Sequence, residues 1–131
     1  MATGRSKHLV LILARELASN LATPTLICDA EGTLVFFNEA AEEIVGKSFA
    51  EIGELSIEDF SASFAPRTRN HAPLSEEKRP TRIALEERRP AHEQLWAVGR
   101  DGIDRQVAIT AFPLFAETDE FVGIVGIFWR E

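Results

Sequence analysis

The stretch FVGIVGIFW, residues 121–129, constrains the fold of this chain more than any other. Val122, Ile124 and Phe128 alternate with Phe121, Val125, Ile127 and Trp129, so a strand here carries apolar side chains on both faces. Both faces must be covered. Helices from the middle of the chain can cover one, and the other needs the N-terminal segment or a second subunit.

That N-terminal segment is suited to the task. From Lys7 to Leu21 the residues Val10, Leu13, Leu17 and Leu21 fall at helical spacing, with Leu9, Leu11 and Ile12 forming a second apolar flank. Thr23-Pro24 ends the helix, because a residue before proline is pushed out of helical backbone. The run LVLILA imitates a signal peptide but is cut by Arg15-Glu16. An h-region needs roughly seven to fifteen apolar residues and a membrane span about twenty.

TLICD (25–29) and TLVFF (33–37) are rich in strand formers, and DAEG between them suits a tight turn. Asn38 is placed as an N-cap, acids occupy the first turn of EAAEEIV, and Gly46 suits a left-handed C-cap. The unit is therefore a hairpin followed by a helix. It has no GxGxxG or Walker pattern and so no phosphate loop. Ser56 with Asp59 marks a further short helix, and PLSEEKRPTRIALEERRP (73–90) contains a longer one with Ser75 as its expected N-cap and Pro80 in its first turn. HEQLWAV, IDRQVAITAFPLF and FVGIVGIFW, joined by GRDG and AETDE, read as a three-stranded meander, which brings the expected total to five strands.

At 131 residues the chain is one domain, and 45% hydrophobic with 27% charged residues is a globular composition. The net charge of -7 argues against nucleic acid, since the basic residues between Arg67 and Arg89 are diluted by Glu. The single cysteine, Cys28, permits no intramolecular disulfide and fits a reducing compartment, so a cytoplasmic location is expected, with no membrane and no metal site.

The order of two strands, short helices, one longer helix and three strands resembles a PAS domain, the sensor fold of many bacterial signalling proteins. DAEGTLVFFNEAAEEIVG is similar to the family's Asp-x-x-Gly hairpin, its Asn after the second strand and its Ala-rich helix ending in Gly. PLSEEKRPTRIALEERRP resembles its Pro-Leu…Pro…Ala-Leu segment, and GRDGIDRQVAITAFPLF…FVGIVGIF its close. The resemblance implies an α+β fold: a five-stranded antiparallel sheet with helices on one face and an N-terminal helix. Residues 1–22 form that amphipathic helix and 23–131 the PAS domain. Relatives embedded in longer proteins continue into an output helix, whereas this sequence stops at FWRE and encodes no kinase, cyclase or DNA-binding output. Signalling is then expected through another chain or through a segment outside this sequence.

The light-sensing relatives' NCRFLQ-like helix does not occur, and there is no Tyr for pigment chemistry. Cys28 reads as a small buried hydrophobe. His8, His71 and His92 all fall outside the long helix from which haem-binding relatives supply a ligand. SEEK matches S-x-x-K, but the S-D-N and K-T-G partners of acyl-transfer enzymes are missing. No catalytic constellation emerges, and the expectation is a non-catalytic sensory and protein-interaction module, acting as a homodimer and purifying colourless, without cofactor. A separate signalling protein is a further possible partner. The alternative is a receptor for an apolar ligand, a fatty acid or haem. Candidate pocket residues are Cys28, Phe36, Phe49, Phe60, Phe64, Ile83 and Trp96, which either close the core or line a pocket. Candidate dimer-interface residues are Val10, Leu13, Leu17 and Leu21.

Overall fold

The computed structural model describes residues 2–131, with side chains described from Leu9 onward except at position 118. Helix α1 (Ala2–Ser19) leads into strands β1 (Thr25–Asp29) and β2 (Thr33–Phe37). Short helices α2 (Glu39–Val45), α3 (Phe49–Ile52) and α4 (Ile57–Ala62) follow, with β3 (Leu55–Ser56) between the last two. Helix α5 (Pro80–Glu87) precedes β4 (Ala91–Val98), β5 (Asp104–Ala116) and β6 (Glu120–Arg130).

The strands form one antiparallel sheet in the order β3-β2-β1-β6-β5-β4. The first hairpin and the final meander meet where β1 pairs with β6, Cys28 opposite Ile124. The sheet has six strands rather than the expected five. The extra one, two residues pairing Leu55 with Leu34 and Ser56 with Thr33, is too short to show an alternating pattern in sequence. Gly123 permits the central pairing, because a Cβ there would stand 2.1 Å from the Cys28 carbonyl oxygen. Pro113 is tolerated within β5 because β4 pairs with that strand only as far as Ala111, leaving the proline on a free edge.

The local signals around the first hairpin hold. Asp29 Oδ1 accepts from the Glu31 and Thr33 amides at 3.0 and 2.9 Å, fixing the DAEG turn. Gly46 closes α2 at φ +89°, and a Cβ there would lie 2.6 Å from the Asp101 amide nitrogen. That contact comes from the turn between β4 and β5 docking on the end of α2. The Arg100 amide donates to the Val45 carbonyl at 2.7 Å, and Arg105 Nη1 reaches the Ile44 carbonyl at 3.3 Å while pairing with Asp101 at 2.8 Å. Hydrogen bonds from Arg105 and the Ile103 amide hold the Asp101 carboxyl down at about 2. Ser75 behaves differently from expectation. It precedes a separate 3₁₀ turn, Glu76–Lys78, and its side chain makes no capping bond. Arg79, next to a proline, is extended, so helix cannot run from Ser75 through to Pro80.

Asn38 does more than cap α2. It is buried, and its Oδ1 accepts from the Ala41 amide at 3.1 Å and from the Thr25 amide at 3.0 Å. Its Nδ2 donates to the carbonyls of Ala18 and Thr23, both at 2.9 Å. One side chain thus ties together the end of α1, the start of β1 and the start of α2.

Candidate functional site

Helices α2 to α5 cover the inner face of the sheet over a core that includes Leu26, Leu34, Phe37, Ile124 and Phe128. Within this layer is a cavity of about 90 Å³. Its floor is sheet: Leu26 of β1, Leu95 and Ala97 of β4, Val107 and Ile109 of β5 and Phe128 of β6. Its sides are Ile44 and Val45 of α2, Phe60 and Ser61 of α4, Phe64 and Pro66 just beyond it, and Arg79, Pro80 and Thr81 at the start of α5. The lining is almost wholly apolar; the polar residues Ser61, Arg79 and Thr81 gather on the side between α4 and α5.

Of the seven candidate pocket residues, Phe60 and Phe64 line this cavity and are packed edge to face, 4.9 Å between centroids. The other five do not. Cys28 is fully buried in the adjoining core, where burial and the neighbouring Asp29 charge push its thiol far up, so it stays protonated. Phe49 packs against Phe37 instead, at 5.4 Å, and Ile83 is half-buried on α5 outside the cavity wall. Phe36 belongs to the outer face, where the Arg15 guanidinium lies 5.0 Å from its ring centre. The pairing of β1 with β2 shifts register between Ile27 and Cys28, which brings Leu34 and Phe37, rather than Leu34 and Phe36, to the inner side. Trp96 also points away, since Leu95 and Ala97 of the same strand point in. It stacks on His71 at 4.9 Å. His92 shares a hydrogen bond of 2.7 Å with Thr110, and neither His71 nor His92 reaches the cavity. His8 lies outside the described side chains.

The outer face is covered differently. Helix α1 lies across it on Leu11, Ala14 and Ala18, the two alanines letting helix and sheet approach closely. Beside this seam runs a groove of about 350 Å³, with Val10, Leu13, Leu17 and Leu21 on the helix side and Phe112, Leu114, Val125 and Ile127 on the sheet side. Leu13 is 58% exposed and Leu17 64%; Leu9, Ile12 and Leu21 are exposed too. All four candidate interface residues therefore line one open groove.

Residues 22–129 match the family model described as PAS domain. The chain belongs to the PAS domain family. These are sensory and signalling modules, generally without catalysis of their own. Solved structures agree on the fold. The PAS domain of the fruit-fly ELK potassium channel has a TM-score of 0.72 at 14% identity, covering 92% of this chain and 95% of that one. The PAS domain of BvgS from Bordetella pertussis has 0.63 at 20% identity, covering 93% and 85%. The phage VqmA-DPO complex gives 0.65 at 14%, covering 97% of this chain and 55% of that one. No curated protein matches the sequence. Among the described residues, no helix is long and apolar enough to cross a membrane.

Proposed function

We propose that this PAS domain is a non-catalytic sensory and interaction module that works as a homodimer through the groove beside α1. The observation that carries this is the paired exposure of Leu13 and Leu17 along a groove of about 350 Å³. Water-facing apolar patches of this kind mark interaction surfaces. A second copy is the occupant of choice because helix and groove carry the same aliphatic character, and a two-fold axis would lay each α1 stripe on the other's groove. The net charge of -7 and a buried, protonated Cys28 accord with a reducing, cytoplasmic setting away from nucleic acid.

Light scattering on the purified protein at tens of micromolar should report a dimer. Leu13→Glu with Leu17→Glu should give a monomer of unchanged circular dichroism, since neither side chain belongs to a buried cluster. A monomeric unmodified protein, or a double variant that stays dimeric, refutes this interface.

The inner cavity favours a second reading, that of a small-molecule receptor. Its apolar lining suits an apolar ligand. Its 90 Å³ lies below the roughly 300–1,000 Å³ of drug-sized sites. That size does not suit haem, one of the two ligands named for the alternative reading.

A further inference from the structure

Side-chain packing fastens α1 only lightly to the outer face. Leu11, Ala14 and Ala18 make that seam, while Leu13, Leu17 and Leu21 line the groove and stand exposed. Two alanines and a leucine bury little apolar area. The end of the helix has a second fastening. The last carbonyls of a helix lack intrahelical partners, and Asn38 Nδ2 donates to the Ala18 carbonyl and to the Thr23 carbonyl just beyond, both at 2.9 Å. On its other side Oδ1 accepts from the Thr25 and Ala41 amides at 3.0 and 3.1 Å. All four bonds of an amide side chain are used, at a residue 1% exposed. Two partners donate and two accept, so the amide has only one orientation that satisfies them.

The two sides of this junction belong to opposite faces of the sheet. Helix α1 is one wall of the outer groove, and α2, whose first turn Asn38 caps, carries Ile44 and Val45 into the inner layer. The far end of α2 is held too, by the Arg100 amide on the Val45 carbonyl at 2.7 Å. We infer that Asn38 couples the two faces: it positions α1 for dimerisation, and through it occupation of the groove is felt at α2. The inference rests on the dimer reading of the groove. Coupling of this kind is reciprocal. A partner that immobilises α1 stabilises α2 through the shared side chain, and a change imposed on α2 alters dimer affinity by the same factor. The groove is thereby regulated from the inner face, although Asn38 itself is buried and touches no partner.

Hydrogen exchange followed by mass spectrometry on peptides covering α2, α4 and α5, at submicromolar protein and at tens of micromolar, reads the coupling. Dimerisation stabilises the whole chain by mass action, so α4 and α5 on the same inner face are the baseline. Exchange in α2 should slow by at least about fivefold more than in α4 or α5, the low end of typical couplings. Asn38→Asp keeps an acceptor for the Thr25 and Ala41 amides and removes the donor to α1. It should raise the dimer dissociation constant at least about fivefold and, at matched dimer fraction, remove the extra protection of α2. Asn38→Ser still caps α2 but is too short to reach the Ala18 carbonyl, so it should do the same and serves where the aspartate variant does not fold. Ile57→Ala, a loss of core packing on α4, should leave the dissociation constant within about twofold.

A dimer in which α2 slows no more than α4 and α5 overturns the coupling while leaving the dimer reading standing. An unchanged dissociation constant in the Asn38 variants does the same. So does a weakening in Ile57→Ala as large as theirs, which makes the effect one of general stability. An unmodified chain that stays monomeric at tens of micromolar overturns the dimer reading, and this inference with it.

Discussion

On the inner face of the sheet, Leu26, Phe37, Ile124 and Phe128 are sealed beneath four short helices. On the outer face, Leu13, Leu17 and Leu21 stand open beside a single long one. Both faces belong to the same strands, and β6 supplies each of them: Ile124 and Phe128 inward, Val125 and Ile127 outward. The inner layer is closed by many small pieces, of which α2, α3 and α4 are each fixed by a side-chain cap. The outer layer is closed by Leu11, Ala14 and Ala18, which occupy one stripe of α1 and leave its neighbouring stripe unsatisfied. The inner face therefore holds most of the buried core of the single chain, and the outer face is where the proposed dimer would add to it.

The largest expected effect follows directly. Phe37 is 1% exposed and touches both Phe49 and Phe60. Phe37→Ala removes the centre of that cluster and should cost about 3–5 kcal/mol in denaturant unfolding. A loss below about 1 kcal/mol would mean that the inner layer collapses around the hole, and the contrast between the two faces would break.

A smaller effect, and a sharper one, is expected at the joint between the faces. Asn38→Ala strips the buried Thr25 and Ala41 amides of their acceptor and the Ala18 and Thr23 carbonyls of a donor. The expected cost is about 2–4 kcal/mol, more than the roughly 1 kcal/mol of a simple helix cap. Asn38→Asp separates the two roles. It keeps the acceptor for the amides but turns a carboxylate oxygen toward the two carbonyls. Hydrogen exchange should show α2 protected and the end of α1 opened in this variant. Unchanged protection in α1 would show that Asn38 is a cap alone.

What could be read from sequence divides along the same line. The DAEG turn, the Asn38 cap and Gly46 were legible because each is decided by neighbours within a few residues. The final strand announced its two covered faces through its own alternation. The cavity was mostly hidden, because its wall depends on which side of each strand faces the helices. Phe60 and Phe64 sit on or next to a helix whose amphipathic face is plain. Phe36 and Trp96 are bulky aromatics of their strands, whereas the register shift at Ile27/Cys28 and the parity of β4 send Phe37, Leu95 and Ala97 inward.

The smallest expected effect completes the contrast. Leu17 is as bulky as the leucines of the core, yet it is 64% exposed, so truncating it removes little buried area from the single chain. At submicromolar concentration, where a dimer held by this groove dissociates, Leu17→Ala should change unfolding free energy by no more than about 0.5 kcal/mol. The unmodified protein should then gain stability as its concentration rises, because a partner that binds only the folded chain stabilises it by mass action. In Leu17→Ala that gain should shrink. Melting curves of both proteins across two decades of concentration measure the two quantities together. A large loss at high dilution would place Leu17 in the stability of the single chain. A gain with concentration equal in the two proteins would place the association surface elsewhere than on α1.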